Sequence, residues 1–170
     1  DRTESHPLSE NINGVRIMRY RVGKVPYGGS ISTLLGLKKF TRQVRDTLLH
    51  EPPGLVYCHD ADTLKIGTAL KRAKSVPFVF DMHDLQHTWV RMESPNSLPR
   101  TLVSRRFKQK MLNRAKHAEC IITSSKGIEG GTQRGFVEWL AHHGLVGEVV
   151  ENRPMPPFPE PSPGATEGWT

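Results

Sequence analysis

Two short apolar runs, Leu55-Val56-Tyr57-Cys58 and Val76-Pro77-Phe78-Val79-Phe80, each lead straight into His and Asp: His59-Asp60 after the first, Asp81-Met82-His83-Asp84 after the second. Continuous apolar runs of this length read as buried strands of a parallel sheet. Between them, Asp62 to Lys74 has the length and composition of a crossover helix, so the whole stretch reads as one βαβ unit. Open α/β sheets bind ligands at the carboxyl ends of their strands. That rule makes His59, Asp60, Asp62, Asp81, His83 and Asp84 the candidate site residues. For Asp60 or Asp62 a plainer reading is available, an N-cap on the helix that follows.

The flanking sequence extends the alternation. Asn13-Gly14 is a turn signal, and Val15 to Tyr20 nearly alternates, as an edge or half-exposed strand does. Ser30 to His50 repeats Leu34, Leu37, Val44 and Leu48 at helical spacing before Pro52-Pro53-Gly54. After the βαβ unit, Leu85 to Pro99 reads as a long connection, with a helical start around Trp89 and Val90. Thr101 to Ala118 reads as a helix with Val103, Phe107, Met111 and Ala115 on one face. Glu119 to Thr123 is a further strand, Ser124 or Ser125 caps a helix that Gly130-Gly131 interrupts or delays, Phe136 to His143 resumes helical spacing, and Gly147 to Val150 is a last short strand. Strand and helix in strict alternation predict an α/β domain, an open parallel sheet flanked by helices, over residues 1–153. Residues 154–170, rich in Pro and Gly, read as a linker or disordered tail.

At 170 residues and 36% hydrophobic the chain is large enough for one real core. No apolar run reaches bilayer length, and Asp1-Arg2-Thr3-Glu4 is neither a signal peptide nor a start at Met, which points to a chain beginning partway through a longer protein. Cys58 and Cys120 lie in predicted strands and form no secreted disulfide framework, so a reducing cytoplasm is expected. The net charge of +7 is concentrated: Arg100–Lys116 carries seven Arg and Lys and no acid. On a surface helix such charge is first a solvated face. It also suits peripheral contact with an anionic membrane, while the lack of interleaved aromatics speaks against nucleic acid.

Several chemistries lose their support. There is no Gly-x-Gly anywhere and no Gly-x4-Gly-Lys, so dinucleotide and P-loop fingerprints are absent. His83-Asp84-Leu85-Gln86-His87 matches a variant of the zinc-hydrolase pattern, with His83 and His87 as ligands, but the first His ends a strand, Asp replaces Glu, and a third ligand is not evident.

Taken together, Leu55 to Leu64 and Val76 to Asp84, then Arg105-Arg106-Phe107, Arg114 to Ser125, and Val149-Val150-Glu151-Asn152-Arg153-Pro154 resemble the amino-terminal domain of glycosyltransferase family 4. Even Asp1-Arg2-Thr3 with Ile12-Asn13-Gly14-Val15 looks like the segment after that family's second strand, so the likeness runs over roughly residues 1–155. The resemblance implies the incomplete amino-terminal half of a GT-B fold, Rossmann-like, from a retaining enzyme that moves a sugar from a nucleotide-sugar co-substrate to an acceptor. It implies that this domain forms the acceptor side of the cleft. His83 would line the transferred sugar, Asp81 would orient His83 or bind an acceptor hydroxyl, and His59, Asp60, Asp62 and Asp84 would form the neighbouring wall, with Asn152 at the hinge side. Neither a metal nor a resident cofactor is implied. The family's first strand with its Gly-rich loop has no counterpart, and no two Glu stand eight apart to supply the Glu-x7-Glu of the donor-binding carboxyl-terminal domain. The isolated chain is therefore expected to be nearly inactive. The alternatives are a non-catalytic α/β binding or scaffold domain and, further off, a metal hydrolase built on His83 and His87.

Overall fold

The computed structural model describes residues 6–23, 31–124 and 135–150, without the side chains of 31–34. The Ser125 cap, the Gly130-Gly131 break, Asn152 and the 154–170 tail lie outside the described residues.

The chain opens with a hairpin of β1 (Ser9–Ile12) and β2 (Val15–Met18), paired antiparallel with Ile12 opposite Val15. Asn13 and Gly14 take φ of 52° and 82°, the left-handed pair of a two-residue hairpin turn. Here the structure corrects the sequence reading: Val15–Met18 pairs with the segment before it and forms its own two-stranded sheet instead of joining the parallel one. A tight Asn-Gly turn holds the two segments adjacent, which satisfies their backbone groups locally.

Helix α1 (Ile31–His50) follows, then β3 (Val56–His59), α2 (Asp60–Lys74), β4 (Phe78–Met82), α3 (Gln86–Trp89), α4 (Leu98–Ala115), β5 (Cys120–Thr123), α5 (Phe136–His142) and β6 (Glu148–Val149). The last four strands form one parallel sheet in the order β3-β4-β5-β6. This is the predicted α/β architecture, a Rossmann-like parallel sheet flanked by helices. Both cysteines lie in its strands as free thiols.

Its core joins Cys58 and Leu64 to Phe78, Phe80 and Met82 of the central β4, and to Met111, Ile121 and Leu140. A second cluster, Ile66, Leu70 and Val76, is closed by Val44 and Leu48 of α1, the helical spacing noted in the sequence.

Several boundaries move, and those of β4 and the start of α4 do so for a clear physical reason. Pro77 has no N–H for the ladder, though its carbonyl accepts from Val56 N at 3.0 Å, so β4 begins at Phe78 and runs on through Asp81. Asp81 thus lies within the sheet, opposite His59 on one side and Ile122 on the other, and not in a turn beyond it. Pro99 does not delay α4: Ser97 caps it, accepting from Arg100 N, and a proline in the first turn costs no hydrogen bond. The buried face of α4 also turns. Steps of four residues drift by about 40° each, so Val103 lies roughly 120° around from Ala115. Val103 is consequently exposed, and Ser104 takes the buried place, donating to the His87 carbonyl at 2.5 Å.

Candidate functional site

Strands β3 and β4 end side by side, and their register puts His59 against Asp81. Alternation along a strand gives Tyr57 and His59 one face, as it does Asp81 and His83. All four side chains meet at a single atom: Asp81 Oδ2 accepts from Tyr57 Oη at 2.6 Å, from His59 Nδ1 at 3.1 Å and from His83 Nε2 at 2.8 Å. The two imidazoles lie 4.7 Å apart, tilted by 45°.

Asp81 is only 4% exposed. Burial works against its charge, but the bonds from Tyr57, His59 and His83 outweigh that and hold its carboxyl below the usual range. The same contact, led by the hydrogen bond to Asp81, pushes the Tyr57 phenol up to about 12. An ionised carboxylate only accepts, so each partner must present a proton to it. That fixes both tautomers when the rings are neutral: Nδ1–H on His59 and Nε2–H on His83. His59 Nε2 and His83 Nδ1 are left as lone-pair acceptors. Asp81 is a buried positioning group, and the histidines are the groups that reach outward, with side chains 61% and 31% exposed.

The acidic wall follows from how β3 turns into α2. The strand passes directly into the helix, and Asp60 takes a φ of 63°, a left-handed conformation unusual for a side-chain-bearing residue. The cap bond expected of Asp60 or Asp62 is not seen, since His59 is the N-cap residue and no side-chain cap bond is made, although both acids do lie in the first turn, where the helix dipole favours them. The Asp60 carboxylate turns instead toward the imidazoles, with Oδ2 3.8 Å from His59 Nε2. Burial, above all, holds Asp60 above the usual carboxylate range; Asp84 adds to this, and His59 and His83 oppose it. Burial, then the charge of Asp60, does the same to Asp62. Asp84 is exposed nearby. The structure therefore brings together His59, Asp60, Asp81 and His83, while Asp62 and Asp84 are linked to this group only through their charge interaction with Asp60.

Tyr57 escaped the sequence reading. Its signal was available, since it stands two residues before His59 and so shares that residue's face of the strand.

His59, Asp81 and His83 also offer ligand atoms within 4.8 Å of one another, close enough to hold a metal ion among the described residues. His87 is not part of this set. Its ring stacks on Trp139 at 5.8 Å, and burial, then Lys108 and His143, push its imidazolium form away. His83 precedes α3, so the two histidines are not one turn apart on a helix. The pairing that a hydrolase on His83 and His87 needs is not formed.

Among the described residues no helix is long and apolar enough to cross a membrane. No curated protein and no solved structure matches the chain. A family model does, over residues 1–139, and its residues include every element from the hairpin to the greater part of α5. With the parallel sheet and the clustered strand ends, that match shows that the chain belongs to the glycosyl transferase 4-like domain family.

Proposed function

We propose that this chain forms the acceptor side of a retaining glycosyltransferase of GT-B type, the nucleotide-sugar donor being held by a carboxyl-terminal domain. The observation that supports this most is the convergence of His59, Asp60, Asp81 and His83 at the ends of neighbouring parallel strands in a domain of this family.

Each group has a part in that reading. Positive charge develops at the anomeric carbon as the donor's bond to phosphate breaks, and acceptor atoms fixed in advance stabilise it at no cost of reorganisation. His83 provides such an atom, its Nδ1 lone pair or its backbone carbonyl. Asp81 holds the ring in place and selects its tautomer. His59 Nε2 and the carboxylates of Asp60, Asp62 and Asp84 accept hydrogen bonds from sugar hydroxyls. No metal or resident cofactor enters the mechanism. The reaction takes place in the cytoplasm, at an anionic membrane that the outer face of α4 contacts.

Transfer is tested by measuring nucleotide release and labelled product from a panel of nucleotide sugars, with the chain alone and with its carboxyl-terminal domain supplied. Negligible turnover alone, robust transfer when joined, and a loss of at least 100-fold in kcat with His83→Ala are expected. Robust transfer by the chain alone, or a His83→Ala protein as active as the parent, would overturn the reading.

A further inference from the structure

At the opposite edge of the sheet, where the strands begin, the C-terminal ends of α2 and α4 enclose an open cleft of about 490 Å³ lined by Arg72, Lys110, Asn113, Arg114, Lys116 and His117. It lies roughly 15 Å from the histidine pair, one strand of four or five residues away. Its walls are tied together, because Lys71 Nζ donates to the His117 carbonyl at 2.7 Å and pairs with Glu119 at 2.6 Å. That pair occupies the acid next to the cleft, and among the described residues no carboxylate lines it.

Cations near a helix C-terminus are commonly explained by the helix dipole, and two helices end here. Each terminus carries only about half a negative charge. Two of them offset roughly one of the four full charges on Arg72, Lys110, Arg114 and Lys116, so an excess of about three remains. The guanidiniums of Arg72 and Arg114 stand close enough to repel, and burial, then Arg72, makes the charge on Arg114 harder to hold. A dianion placed between them would remove that repulsion, and arginine forks match phosphate oxygens in geometry. Lysine and the Asn113 amide add donors, the His117 ring offers an N–H as well, and none of these lining side chains is confined to accepting.

We infer that this cleft binds a phosphomonoester or pyrophosphate group, at a site separate from the sugar-transfer edge. The phosphate can belong to a soluble metabolite or to a lipid headgroup, since the recognition chemistry is the same.

The test is calorimetric titration of the chain with pyrophosphate, in parallel with co-sedimentation on phosphatidylcholine vesicles with and without phosphatidic acid. Saturable one-to-one binding of pyrophosphate is expected, at least tenfold weaker in Arg114→Gln and unchanged in His83→Ala. Because Arg114 is half-buried, the exposed pair Lys110→Gln with Lys116→Gln is a second variant, expected to weaken binding at least fivefold with an unaltered unfolding midpoint. Capture by phosphatidic acid vesicles that pyrophosphate displaces assigns the group to a lipid; pyrophosphate binding with no capture, or with capture that pyrophosphate leaves unchanged, assigns it to a soluble ligand. Non-saturable binding, variants that bind as the parent does, or loss in His83→Ala would each overturn the site.

Discussion

At the scale of single residues, Asp60 and Asp81 are opposites although they sit against the same two histidines. Asp81 is held below the ordinary carboxyl value of 3.8 by Tyr57, His59 and His83 against the cost of burial, so its native state releases the proton more readily than the unfolded chain does. Its contribution is fully present above that value and is lost as pH falls through the native one. Asp60 is held above 3.8 by burial and Asp84, so its charge opposes folding at neutral pH, and the opposition fades as pH falls through its raised value. Asp81→Asn is expected to cost about 2–3 kcal/mol at pH 7, the worth of charge-assisted hydrogen bonds, and progressively less below pH ~4. Asp60→Asn should unfold at the same urea concentration as the parent or a higher one, since asparagine accepts a φ of 63° as well as aspartate does. Asp60→Ala should lose roughly 1–2 kcal/mol from that backbone alone. Urea unfolding of the three variants at pH 7 and at about pH 3, below the ordinary carboxyl value, checks these signs. A residue kept at a cost to stability suits a site better than a scaffold. The sequence located these residues because titratable groups at adjacent strand ends are rare by accident. It did not foresee that one oxygen would take three donors, because that depends on the register of β3 against β4.

At the scale of elements, Gly67 shows how α2 approaches its sheet. A Cβ at this position would lie 2.7 Å from Cys58 Sγ and 2.8 Å from the Phe78 ring, atoms fully buried in β3 and β4. The glycine lets the helix backbone lie against both strands, and so helps fix where His59 and Asp60 emerge. Alanine would gain about 1 kcal/mol in helix propensity. Overpacking of a tight core costs typically 1–3 kcal/mol, and the Phe78 ring is walled in, so the cost should win. Gly67→Ala is expected to lower the unfolding midpoint, with net loss of about 1 kcal/mol; an unchanged or higher midpoint would show that the core yields more easily than these distances imply. The sequence made the strands and the long helices legible through run length and 3.6-residue spacing. It misplaced the partner of Val15–Met18, because alternation marks a strand without naming its neighbour. On α4 it found Phe107, Met111 and Ala115 but misplaced Val103, because four-residue steps drift around the helix and Ser104 is the residue that meets a carbonyl of α3.

At the scale of the whole molecule, charge and exposed apolar surface coincide on α4. Leu98 is 83% exposed and Leu102 about half exposed, on the side turned away from Met111 and Ala115. Arg105 and Arg106, also exposed, follow one turn later, and no acid lies on the helix. Exposed leucines beside arginines that, among the described residues, have no carboxylate partner fit the boundary of an anionic bilayer, where apolar side chains enter the acyl region and cations meet phosphates. The magnitudes are sufficient: partial burial of two leucines gives roughly 2–3 kcal/mol, and each cation near an anionic surface adds about 1 kcal/mol. Vesicles containing phosphatidylglycerol should therefore carry the chain upward in a flotation gradient at low salt and release most of it at high salt, while phosphatidylcholine vesicles leave it behind. Leu98→Asp with Leu102→Asp should weaken capture at least tenfold. Both positions are exposed, so the fold and the phosphate cleft stay intact, and pyrophosphate binding should be unchanged in this double variant. Failure to float at low salt, or flotation of the double variant equal to that of the parent, would leave this face of α4 as a solvated surface and put the acceptor in solution.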